Sequence, residues 1–129
     1  MIVDCSGGRI ARDSLELPLK ATAIIEVKRS SAGNRLIEAD IERLTELKMA
    51  SRASNPGVRA FLLLVSEANR PTRFVSDDGT AVRGRLRVEY PHHPDSYFKV
   101  RRVCKAAHSF RKEKWKSAHY ACIIEVFDG

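Results

Sequence analysis

Apolar residues fall along this chain in short runs with two different periods. Thr22 to Val27 (TAIIEV) is β-branched and apolar, the pattern of a buried strand. Ala60 to Val65 (AFLLLV) reads the same way, and its unbroken apolar character predicts a parallel strand covered on both faces. Between them, Ile37, Ile41, Leu44 and Lys48 recur at helical spacing, with Leu36, Asp40 and Leu47 widening the stripe. That predicts an amphipathic helix from Arg35 to about Arg52, with Glu38, Glu42, Arg43 and Glu46 on its outer side. Asn34 is placed to cap the helix, and Asn55-Pro56-Gly57 closes the connection to the next strand.

The flanks are strand-like. Met1–Cys5 reads as a short strand, Ser6-Gly7-Gly8 as a turn, and Arg9 to Leu17 as a second strand that Pro18 breaks. In the second half, Asp77-Asp78-Gly79 signals a turn, followed by alternation from Ala81 to Tyr90. Pro91 and Pro94 bracket a loop, and Tyr97–Cys104 and Tyr120–Phe127 look like strands. Ser109–Lys116 between them suits either a helix or a long charged hairpin loop. The expected fold is α/β: a mixed central sheet with a strand-strand-strand-helix-strand core over residues 1–66. Residues 67–129 add a basic, strand-rich extension to the same domain.

Composition narrows the class. A chain of 129 residues, 43% hydrophobic and 30% charged, suits one globular domain. No apolar run approaches the length of a membrane span, so no membrane partner is expected. The first residues show no basic stretch leading into an apolar one, which makes the cytoplasm the expected compartment. Cys5, Cys104 and Cys122 have no paired spacing and are expected to be reduced.

The net charge of +7 is concentrated late in the chain. Residues 1–69 carry ten Lys/Arg against nine Asp/Glu, whereas residues 83–116 carry eleven against three. Such a field favours polyanions, so nucleic acid, DNA first, is the expected partner. Arg83, Arg85 and Arg87 alternate with small and apolar residues, which on a strand would place three guanidiniums on one face for phosphate contact. Arg101, Arg102, Lys105, Arg111, Lys112, Lys114 and Lys116, with Phe110 and Trp115 interleaved, form a second basic surface where Trp115 can stack on a base. Either row also suits an ordinary solvated face. Cys104-x3-His108 and His119-x2-Cys122 do not make a zinc site, because on a strand residues 119 and 122 point to opposite sides. His92-His93 fits an exposed turn, and nothing orients His108 and His119 as an acid/base pair.

The residues best suited to chemistry are Glu26 and Lys28, two apart on a strand and therefore on one face, at the end of the apolar run where it meets solvent. Carboxylates hold Mg²⁺, the metal activates a water, and a nearby lysine orients the nucleophile or offsets phosphate charge. A second carboxylate must come from another strand. Glu26-Val27-Lys28, preceded by Ala23-Ile24-Ile25, resembles the hydrophobic-Glu-x-Lys strand end of the PD-(D/E)xK nucleases, which include Holliday-junction resolvases and many restriction endonucleases. The predicted order of elements over about the first 66 residues is similar to that family's core.

The resemblance implies a first acid at Asp13, thirteen positions before Glu26, with Asp13 and Glu26 holding Mg²⁺ or Mn²⁺ and Lys28 assisting. It also implies a homodimer, since duplex cleavage needs two sites. Asp13 follows Arg12 rather than proline, residues 13–28 contain no glycine turn, and the family's usual opening helix is missing. Asp4 competes for the acid role, and Glu38 and Asp40 on the following helix can approach the site. The rival expectation is a non-catalytic basic α/β module that binds nucleic acid or a protein.

Overall fold

The computed structural model describes residues 2–4, 9–10, 21–67, 69–87, 93–107 and 118–129. In chain order the elements are β1 (Ile2–Asp4), β2 (Arg9–Ile10), β3 (Ala23–Arg29), α1 (Asn34–Ala50), β4 (Arg59–Ser66), β5 (Leu86–Arg87), β6 (Tyr97–Ala107) and β7 (Ala118–Phe127). The fold is α/β: the strands form one mixed sheet in the order β2-β1-β3-β4-β7-β6-β5, with α1 laid across β3, β4 and β7. The β3–α1–β4 unit makes the single parallel pair among the described strands, as a helical crossover requires. Every other described pairing is antiparallel. No helix among the described residues is long and apolar enough to cross a membrane.

One face of this sheet is dry. Ile24, Ala60, Leu62, Leu64, Cys122, Ile124 and Val126 are buried there against Ile37, Ile41, Leu44 and Leu47 of α1. Beyond the helix, the segment after β4 continues the cover: Phe74 and Val75 are buried, and the Phe74 ring lies 5.8 Å from that of Phe98 on β6. Asn55 fastens the return from α1, donating through Nδ2 to the Ala21 carbonyl at 2.7 Å just before β3 begins. The Asp77-Asp78-Gly79 turn forms as expected, with Asp78 accepting from both the Thr80 amide and hydroxyl.

Several expectations are corrected. Asn34 is the first residue of α1, not its cap; Gly33 holds that position at φ 88°, where glycine carries no Cβ penalty. Leu36 is 51% exposed, while Asp40 lies on the buried stripe. Among the described residues β4 is covered by α1 on one face only, and its residues alternate between buried and half-buried. The alternating strand expected from Ala81 to Tyr90 is reduced to Leu86–Arg87 among the described residues, and Gly84 at φ 90° breaks the extended run before it. Consequently Arg83, Arg85 and Arg87 do not form one row along a strand.

Leu44 is fully buried between helix and sheet. Leu44→Ala should cost about 3 kcal/mol, read as a lower urea midpoint at unchanged slope.

Candidate nucleic-acid interface and the E-x-K cluster

Each face of the sheet gathers charge in one place. On the helix side, Glu26 and Lys28 alternate down β3 with core residue Ile24. Glu26 is fully buried and not at a solvent-facing strand mouth as expected, because α1 extends over this end of β3. The Lys28 ammonium lies 2.8 Å from the Asp40 carboxylate of α1, with side chains 15% and 5% exposed. Asp40 is thus the helix acid that meets the E-x-K strand. Glu38 turns away and accepts both ends of the Arg73 guanidinium, at 2.6 and 2.9 Å. Strand β1 runs beside β3 with Ile2 opposite Glu26 and Asp4 opposite Ile24, so Asp4 stands two register positions from Glu26. Asp13 lies outside the described residues. Among the described residues no three His, Cys, Asp or Glu converge to hold a metal ion.

The opposite face carries the basic groups. Strand β6 has a bulge between Val100 and Arg102: Lys99 stands opposite Glu125, Val100 opposite Ile124, and Arg102 opposite Ile123. Without the bulge, strict alternation would turn Arg102 to the helix side with Val100. The extra residue shifts that phase. Lys99 and Arg102 then share this face, which is open among the described residues, and the bulged Arg101 reaches the Glu125 carboxylate there at 2.6 Å. Arg87 of β5 pairs with Tyr97, and the Arg85 guanidinium lies 4.6 Å from the Tyr97 ring centre. Tyr97 itself stacks on Phe127, with ring centres 4.8 Å apart. Lys105, opposite Tyr120, points to the helix side. Lys112, Lys114, Lys116, Arg111 and Trp115 lie outside the described residues.

Glu125, which the sequence reading passed over, organises this face. It is 2% exposed and accepts from Arg59 at 2.8 and 2.9 Å as well as from Arg101. Burial alone would push its carboxyl up; the hydrogen bonds and charges of Arg59 and Arg101 outweigh that and hold it below the ordinary glutamate range. The local signal was available, since Glu125 is one acid inside the apolar run Cys122–Phe127.

Among the described residues Cys104 and Cys122 are free thiols, and His119 and Cys122 stand three apart on β7. Burial, then the neighbouring Cys104, pushes the Cys122 thiol up to about 11, whereas Cys104 is exposed.

No protein-family model matches the chain, and neither does any curated protein or solved structure.

Because the folded Glu125 carboxyl titrates below its unfolded counterpart, it stabilises the fold above the ordinary glutamate pKa and ceases to as pH falls through the lowered value. Glu125→Gln should therefore lower the urea midpoint at pH 7, and its gap to the wild type should close below about pH 4. A gap constant from neutral to strongly acidic pH would contradict the ion-pair account. Iodoacetamide at pH 7.5 should label Cys104 of the folded protein and spare Cys122, as read by peptide mass spectrometry.

Proposed function

We propose that this chain is a nucleic-acid-binding domain whose backbone contacts come from the sheet face opposite α1. The observation that carries this reading is the β6 bulge, which turns Arg102 to the side of the sheet that already holds Lys99 and Arg101. Arg59 adds a fourth cation there, with its side chain 56% exposed. Glu125 offsets part of this charge and fixes two of the guanidiniums at defined positions. The excess remains positive, in keeping with the +7 of the whole chain. Guanidiniums in a fixed array suit phosphate oxygens, which they contact in pairs.

A second reading is metal-dependent phosphodiester hydrolysis of the PD-(D/E)xK kind. It is supported by the Lys28–Asp40 pair on the same face of β3 as the buried Glu26 and by the order hairpin, E-x-K strand, helix, parallel strand. The described residues do not by themselves suit Mg²⁺ or Mn²⁺, since the Asp40 carboxylate is engaged by Lys28 and no three ligands converge. That reading needs a further acid beside Glu26, for which Asp13 and Asp4 are the candidates. Within it, a homodimer would present two such clusters to a duplex.

Binding is tested by fluorescence anisotropy of labelled DNA and RNA across a salt series. Log affinity should fall linearly with log salt, and Arg102→Ala and Lys99→Ala should each reduce the slope by about one. Failure of the wild type to bind either polymer at low salt would sink the reading. Cleavage of single-stranded, duplex and branched DNA with Mg²⁺ or Mn²⁺ tests the second. Metal-dependent cutting lost in folded Glu26→Gln and Lys28→Met would support it; no cutting by a wild type that binds would leave a binding module.

A further inference from the structure

Beside the cations, the open face holds a wholly apolar hollow of about 300 Å³ lined by Ile25, Phe61, Leu63 and Ile123. Its floor is continuous with the basic array. Ile123 is 37% exposed and stands directly opposite Arg102, and Phe61 stands directly opposite Glu125. The Arg59 guanidinium lies 4.9 Å from the Phe61 ring centre. Apolar floor and cationic rim are thus one strand spacing apart, about 4.8 Å.

A duplex meets a protein with phosphates and groove edges, and its bases are stacked on one another inside. To seat a base on an apolar sheet it must be bent or unstacked, at a cost of a few kcal/mol per step. A single strand offers unstacked bases beside its phosphates, and bases stack on aromatic and apolar side chains with little regard to sequence. A second copy of this chain fits less well. A two-fold face-to-face pairing centred on the hollow would gather the Arg59, Arg101 and Arg102 clusters of both copies into one interface, like charge with like.

We propose that the open face binds single-stranded nucleic acid in preference to duplex, with bases seated over Phe61 and Ile123 and phosphates along Arg59, Arg101 and Arg102. This rests on the nucleic-acid reading above and names the form of polymer that the face takes.

The test compares the intact protein's affinity for labelled 20-mers: single-stranded DNA and RNA, the DNA duplex, and a DNA strand of the same length with abasic sites throughout. The intact single strands should bind roughly tenfold more tightly than duplex or abasic strand. Ile123→Ser and Phe61→Ala should each weaken single-strand binding several-fold and leave duplex binding unchanged. The abasic comparison uses the wild type, so it stands even if Phe61→Ala fails to fold. Duplex and abasic strand binding as tightly as the intact single strand would overturn the proposal while leaving nucleic-acid binding intact. No binding to any of them would remove the reading beneath it. A wild-type dimer that Ile123→Ser converts to a monomer, by light scattering, would make a second copy the occupant and overturn the proposal.

Discussion

A single helix about 10 Å across can lie over two or three strands of a sheet, and on one side of it only. Here α1 spans β3, β4 and β7, and the segment carrying Phe74 and Val75 extends the same cover to Phe98 on β6. Among the described residues, the buried core therefore forms between these pieces and one sheet face. The alternate residues of the same strands, Ile25, Phe61, Leu63 and Ile123, lie on the other face. The pleat makes this division unavoidable, since successive side chains on a strand point to opposite sides. The two candidate sites are the two consequences of that division.

On the open face, electrostatics and backbone irregularity act together. Glu125 is a buried carboxylate, and removing it from water is costly unless its oxygens are fully engaged. Arg59 and Arg101 engage both. Their guanidiniums are correspondingly held in place rather than waving in solvent, which lowers the entropy lost on meeting a phosphate. The bulge at Arg101 turns Arg102 to this same face. A regular strand would instead have directed Arg102 to the side where Val100 and Val103 pack against the core.

On the covered face, Lys28 and Asp40 form an ion pair that is mostly withdrawn from water. Pairs of this kind contribute little net stability over well-packed apolar residues, because desolvation consumes much of the attraction. The pair, on the strand that carries the fully buried Glu26, makes this end of β3 chemically distinct from the surrounding Ile and Leu core. The same pair engages the carboxylate that a metal ion would otherwise use. The proposed binding surface and the E-x-K strand end therefore lie on opposite faces of one sheet.

Much of the scaffold could be read from residue order. The β-branched run at 22–27, the apolar run at 60–65 and the helical stripe between them determine a β-α-β unit, because those patterns are local and their burial requires adjacency. The strands at 97–104 and 120–127 were legible for the same reason, as was the same-face placement of Glu26 and Lys28. Tertiary structure alone decided what each charge meets. Asp40 looked like part of an apolar stripe and became the partner of Lys28. Glu125 drew Arg59 and Arg101 from two other strands. Arg102 changed faces at a bulge, and Gly84 dissolved an arginine row that alternation had suggested. Local periodicity is set by the backbone's own geometry, whereas charge pairing, bulges and uncovered faces depend on neighbours far away in sequence.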